Sequence, residues 1–172
     1  QDCSSLSGHF LVERLGYSGA GDILKMMRPI WQSDLTFSWF ASGHSFAAVL
    51  LSKLLRKRSA VVVGGYDVAF EPDISYGQYT LGRLKRVYSD FVLGNADIVL
   101  PVSEFTKSEV LARAKPKRVQ VLYPGIDLDR FQPGGEKKAP VTTVASGSGR
   151  IIKLKGLAPF PGAAALLCEI RA

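Results

Sequence analysis

Ala60-Val61-Val62-Val63-Gly64-Gly65-Tyr66-Asp67 is the stretch on which the fold turns. Its apolar run, mostly β-branched, shows no alternation, which suits a strand buried on both faces. Two glycines end it, and a tyrosine and an aspartate follow. Strands of that kind belong to parallel sheets, which require a long connection, usually a helix, between neighbours. The flanking sequence supplies such helices. Upstream, Phe46, Ala47, Leu50, Leu51, Leu54 and Leu55 recur at helical spacing. Lys53, Arg56, Lys57 and Arg58 then place positive charge at the helix carboxyl end, where the dipole favours it. Before that helix, Leu35 to Phe40 reads as a strand, broken at Ala41-Ser42-Gly43-His44. Downstream, residues 66–77 read as a loop, and residues 79–95 as a helix with Leu81, Leu84, Val87, Tyr88, Phe91 and Val92 on one stripe. Asp97-Ile98-Val99-Leu100 is a strand closed by Pro101. Ser103 or Thr106 caps the next helix, which ends near Ala114, and residues 119–122 make a further strand before Pro124-Gly125. The order predicts an α/β fold with a parallel sheet and helices on both faces.

The two ends read differently. Residues 1–30 are rich in Ser and Gly, with a short helix predicted from Asp22 to Met27, ending before Pro29. From Gln132 to Pro140 the composition shifts to Gly, Pro and charge, the best linker in the chain. Beyond it come a strand from Val141 to Ala145, a flexible loop Ser146-Gly147-Ser148-Gly149-Arg150, and a helix from Leu157 to Ile170. Pro159 and Pro161 delay that helix by about one turn. The division expected is a first domain over 1–131, a linker over 132–140 and the start of a second domain over 141–172. A start at Gln1 and a stop at Ala172, inside a predicted helix, lead us to expect a longer protein.

Composition narrows the function classes. With 47% hydrophobic residues in 172, the chain has enough apolar material to fold, so disorder is excluded. No apolar run approaches the ~18 residues needed to cross a bilayer. The amino end also lacks the basic-then-apolar order of a secretory signal. Cys3 and Cys168 lie at opposite ends without metal-ligand spacing; they read as free thiols in a reducing compartment, with one distant disulfide as the alternative. The net charge of +7 gathers in three clusters: Lys53/Arg56/Lys57/Arg58, Arg83/Lys85/Arg86 and Arg113/Lys115/Lys117/Arg118. Each suits a solvated face, or attraction to phosphates. No aromatics interleave with these charges, so an anionic membrane surface or a phosphorylated substrate is favoured over nucleic acid.

Ligands of open parallel sheets bind outside the carboxyl ends of the strands. Gly64-Gly65-Tyr66-Asp67 is the densest candidate there. The glycines allow close backbone approach, and Tyr66 and Asp67 add a stacking surface and a carboxylate. The same four residues also suit a tight turn in which Asp67 hydrogen-bonds the loop. Residues 146–150, with Lys153 and Lys155, suit phosphate binding or a plain exposed loop. His44 lacks a paired nucleophile or carboxylate and reads as structural. No metal site is predicted.

Three segments in order carry a resemblance. Val61-Val62-Val63-Gly64-Gly65-Tyr66-Asp67 comes first. Asp97-Ile98-Val99-Leu100-Pro101-Val102-Ser103-Glu104-Phe105-Thr106-Lys107 is second. Val119-Gln120-Val121-Leu122-Tyr123-Pro124-Gly125-Ile126-Asp127, with Phe131-Gln132-Pro133 behind it, is third. Together they resemble group 1 glycosyltransferases of the GT-B fold, over about residues 34 to 170. The resemblance implies two Rossmann-like domains facing a cleft, an amino-terminal one for the acceptor and a carboxyl-terminal one for a nucleotide-sugar. It implies sugar transfer to a saccharide or lipid-linked acceptor, usually with retained configuration and without a protein nucleophile, metal or cofactor. Such a protein is expected in the cytoplasm, peripherally at the inner membrane face. On this resemblance Gly64, Gly65, Tyr66, Ser103 and Glu104 fall on the acceptor side, and Arg150 and Lys155 match the basic pair that meets the donor diphosphate. Many members carry a His where Gly64-Gly65-Tyr66 stands here, which leaves Asp67 as the candidate catalytic residue. The paired glutamates that hold the donor would lie beyond Ala172, so the 172 residues alone are expected to be inactive. Two alternatives remain: a basic α/β module binding a membrane or another phosphate-bearing partner, and a Rossmann oxidoreductase or epimerase. The latter needs a glycine fingerprint after the first strand, which is not visible.

Overall fold

Three strands pair in parallel in the order β1-β2-β3: β1 is Leu35–Trp39, β2 is Arg58–Val63 and β3 is Ile98–Pro101. The structure, a computed structural model, describes residues 6–132, 134 and 149–171. Cys3, nearly all of the predicted linker, the strand predicted from Val141 to Ala145, Ser146–Ser148, and the side chains of Arg150 and Cys168 lie outside the described residues. Two compact units are present: Gln1–Ala69 with Gly77–Tyr123, and Phe70–Tyr76 with Pro124–Ala172.

In the first unit, Phe37 pairs with Ala60 and Ala60 with Ile98, while Ser38, Val61 and Val99 stand side by side. Side chains alternate along a strand, so Val61, Val63 and Val99 share one face. That face meets Val49 of α2 (Gly43–Leu54), Val92 and Leu93 of α3 (Arg83–Asn95) and Val110 of α4 (Glu104–Arg113), all fully buried. Thr36 Oγ1 bonds Ser52 Oγ of α2 at 2.9 Å on the same side. Leu35 and Phe37 point the other way and stay half exposed. The result is a parallel α/β sheet flanked by helices, a Rossmann-like arrangement. All of β2 after Arg58 is buried, as its unbroken apolar run requires.

Three local expectations change here, and one alternative is settled. The first helix, α1, runs over Ile23–Gln32 and contains Pro29 rather than ending before it. Met26 and Ile30 bury against Ala47, Ala48 and Leu51 of α2, and this packing outweighs the hydrogen bond and fit lost at proline. The helix expected over residues 79–95 divides into one turn at Gln78–Thr80 and then α3, with Gly82 at φ 98° between them. Leu84 and Val87 consequently face outward, 63% and 56% exposed, and Ser89, Val92 and Leu93 form the buried side. Residues 119–122 make a single parallel bridge, Val119 to Val99, instead of a full strand. Leu122 N still donates to Pro101 O at 2.8 Å, but Pro101 has no N–H to return the bond. Of the two caps offered for α4, Ser103 takes the role: its Oγ accepts from Thr106 N at 3.1 Å, while Glu109 pairs with Arg113 at 2.8 Å.

In the second unit, Glu71 and Tyr76 exchange backbone bonds of 2.9 and 3.0 Å around a helical turn at Pro72–Ile74, against which α5 (Gly149–Leu154) packs. Gly149 and Arg150 are helical, where the sequence suggested a loop. Asp127 Oδ1 accepts from the amides of Asp129 and Arg130, both at 3.1 Å, fixing the turn after Pro124-Gly125. The last helix, α6, begins at Phe160, delayed as the prolines require. No described helix is long and apolar enough to cross a membrane.

Candidate functional site

Parallel strands deliver their carboxyl ends to one edge of the sheet, and there the loops after β1 and β2 are drawn together. The tie is Asp67. Its Oδ2 accepts from Ala41 N at 2.8 Å, in the loop after β1, and its Oδ1 accepts from Gly65 N at 2.9 Å, in its own loop. The residue is 1% exposed. Burial pushes the Asp67 carboxyl above its ordinary pKa, opposed by the backbone amides that favour the charged form. Ala41 is held from its other end as well. Gln78 Nε2 and Ser89 Oγ both donate to Ala41 O at 2.7 Å, and Gln78 Nε2 lies 2.6 Å from Ser89 Oγ. All three of these side chains are buried, so this network braces the chain from inside.

Glycine is needed at two points. Gly65 has φ 109°, a conformation that side chains disfavour, and faces the Thr106 side chain of α4. Gly64 lies against the edge of the Phe40 ring: a Cβ there would come within 2.6 Å of Phe40 Cε1. Tyr66, at the rim, is 37% exposed. The peptide of Tyr66 accepts from Gln78 N at 2.8 Å, closing the base of the intervening excursion. Just beyond, Tyr79 donates to Asp90 Oδ1 at 2.5 Å, and the Arg113 guanidinium lies 5.1 Å from its ring centre. Burial, with Asp90 beside it, pushes the Tyr79 phenol up, so it remains a donor.

The predicted residues thus separate by role. Gly64, Gly65, Tyr66 and Asp67 gather with Phe40 and Ala41 at the carboxyl edge. Ser103 and Glu104 lie at the end of β3, but Ser103 is occupied as the α4 cap and Glu104, exposed, pairs with Lys107 at 3.1 Å. Lys155 is exposed just past α5 in the second unit, as Arg150 is placed within α5. His44 is engaged locally: Nε2 donates to Trp39 O at 2.5 Å and Nδ1 accepts from Ser42 Oγ at 2.9 Å. Gln78, Ser89 and Phe40 were not singled out by the sequence. A polar residue on a helix stripe that breaks its apolar period, as Ser89 does, was the available signal. Among the described residues no group of three His, Cys, Asp or Glu could hold a metal ion.

Residues 13–130 match the family model described as Glycosyltransferase Family 4. The chain is also 33% identical over 97 residues to proteins named D-inositol 3-phosphate glycosyltransferase from Mycobacterium sp. strains JLS and KMS. Each match covers 51% of this chain and 22% of the relative's length.

Removing the tie should be measurable. Asp67→Ala leaves two buried amides unpaired, and urea unfolding should show a loss of about 1–3 kcal/mol near neutral pH. The pH dependence has a fixed sign. A carboxyl whose folded pKa is raised contributes stability below its unfolded value, about 3.9, and loses it as pH rises through the folded value. The stability of the wild type relative to Asp67→Asn should therefore fall as pH rises above about 4; a difference that grows with pH would contradict the placement.

Proposed function

The chain belongs to glycosyltransferase family 4, and from that premise we propose that it forms the acceptor side of an enzyme that moves a sugar from a nucleotide-sugar to a hydroxyl of a saccharide, a related polyol or a lipid-linked acceptor. The observation that carries this reading is the joining of the loops after β1 and β2 through Asp67, braced at Ala41, within residues that match the family. Residues 1–131 are the acceptor domain, 132–140 the linker, and 141–172 the first part of the donor domain. The relatives are named for D-inositol 3-phosphate, a polyhydroxylated six-membered ring, and we carry that acceptor class over. In the transfer, the bond from the anomeric carbon to the diphosphate breaks as the acceptor oxygen bonds to that carbon, with retained configuration. Arg150 and Lys155 meet the charge that develops on the leaving diphosphate, so no metal or cofactor is needed. A catalytic residue must touch the reacting atoms, and Asp67 is closed in; its role is to position the loops, leaving the departing phosphate to take the acceptor proton. The match spans 22% of the relatives' length, and the transfer is proposed of the whole enzyme.

A membrane contact is a second reading with its own support. Leu84 and Val87 project from α3 beside exposed Arg83 and Lys85, apolar and basic groups together, as contact with an anionic bilayer requires. It places the enzyme peripherally at the cytoplasmic membrane face. Sedimentation with phosphatidylglycerol vesicles should carry the chain down at low salt, and Leu84→Asp with Val87→Asp should leave it in the supernatant; equal sedimentation of both proteins would remove this reading.

The transfer reading is tested by thermal denaturation of the enzyme extended to its relatives' length, with UDP- and GDP-sugars in turn. One nucleotide class should raise Tm, and Arg150→Ala with Lys155→Ala should abolish the rise. No shift with any nucleotide-sugar, and no transfer to a polyol acceptor, would overturn it.

A further inference from the structure

We propose that the ring of Phe40 is a stacking platform for the saturated ring of the acceptor, a pyranose or cyclitol lying against its open face at the carboxyl edge of the sheet. The inference rests on the acceptor reading and identifies the residue that touches the acceptor.

The backbone of Phe40 is anomalous. Among the described residues, three that are not glycine have positive φ: Phe40 at 65°, Arg56 at 54° and Ser75 at 50°. Two of these end helices. Arg56 follows α2, with Lys57 N returning to Ser52 O at 2.7 Å, and Ser75 ends the turn Pro72–Ile74. Left-handed residues commonly terminate helices in this way. Phe40 ends no helix. It continues the ladder of β1, donating to Val62 O at 2.7 Å, and then turns into a conformation poorly suited to a large aromatic residue.

Several bonds enforce that turn. Phe40 O accepts from Ser45 Oγ at 2.6 Å and from Ser42 N at 2.8 Å, and the next amide, Ala41 N, is taken by Asp67. The conformation sets the ring edge against Gly64, where a Cβ would come within 2.6 Å of Cε1. Core burial does not account for the strain. Phe40 belongs to neither buried cluster and remains 46% exposed. Its neighbour Trp39 lies 5.9 Å away and tilted by 55°, and among the described residues no parallel aromatic stacks on it. Strained residues of this kind gather at ligand sites. Here the strain presents a flat apolar surface where ligands of parallel sheets bind.

The chemistry of the surface selects the ligand. An aromatic face is electron-rich, and attracts groups that are partly positive. A saturated polyol ring offers such a face in its axial C–H groups, while its hydroxyls stay at the rim for water and peptide groups. Acyclic polyols present no flat C–H face. The platform therefore distinguishes ring acceptors from linear ones, and it orients the ring without occupying its hydroxyls.

Phe40→Gly provides a clean variant, because glycine takes φ 65° freely and the change removes the ring while relieving the backbone. The measurement is saturation-transfer NMR on the 172-residue chain with methyl α-D-glucopyranoside, myo-inositol, glycerol and uridine monophosphate, alongside Tm. The expected result is transfer strongest to axial C–H protons of the two ring probes, little to glycerol, and about fivefold less to the rings in Phe40→Gly with Tm unchanged or higher. Ring binding that survives in folded Phe40→Gly would overturn the platform and leave the acceptor reading standing. So would a Tm loss of more than about 5 °C, which marks core packing. Preference for glycerol or uridine monophosphate over the rings overturns it too. If the wild type binds neither ring, the platform and the acceptor reading fail together.

Discussion

The carboxylate of Asp67, bonded to Ala41 N on one side and Gly65 N on the other, is the interaction on which the rest of the carboxyl edge depends. A carboxylate taken out of water alone is costly, and only charge-assisted bonds of this kind offset the loss. Each bond joins a different loop to the same side chain, so two strand ends are set relative to each other by a single group. From that tie follow the turn at Phe40, the placement of its ring edge against Gly64, and the position of Ala41 between Asp67, Gln78 and Ser89. Burial then keeps water from competing for these bonds.

Such bracing has a functional meaning. A transferase gains rate by holding its acceptor in place before the sugar arrives, and groups on loops do this well only when the loops are fixed by an inner layer of bonds. The edge of this sheet has that construction: backbone bonded from within, with Phe40 and Tyr66 at the exposed rim. It does not bring a basic residue or an open carboxylate to the rim among the residues singled out there. On the proposed acceptor reading, this rim meets the ring of the acceptor and not its charged groups.

Elements made by long-period patterns were legible in the sequence. The unbroken run Ala60–Val63 revealed a buried parallel strand, and the spacing from Phe46 to Leu51 revealed the helix beside it. The turn at Gly64-Gly65-Tyr66-Asp67, in which Asp67 bonds its own loop, was one of the two readings that stretch allowed. What escaped was set by tertiary contacts. Pro29 lies inside α1 because Met26 and Ile30 find a partner in α2. Leu84 and Val87 matched a core stripe, but Gly82 breaks the helix before them and Ser89 takes the inward position, where a hydroxyl is needed for Ala41 O. Gln78 carries no local signal, since its partner lies 37 residues away. The turn at Phe40 was invisible for the same reason: nothing in Trp39-Phe40-Ala41 foretells a left-handed aromatic until Asp67 and Ser45 are placed around it.

Amide hydrogen exchange at Ala41 tests the central claim most directly. A loop amide bonded to a buried carboxylate at the centre of a braced site should open only with the unfolding of the sheet. The account predicts that Ala41 exchanges with the same opening free energy as Val61 and Val62 in β2. Exchange at the rate of a surface loop, while Val61 and Val62 remain protected, would contradict it.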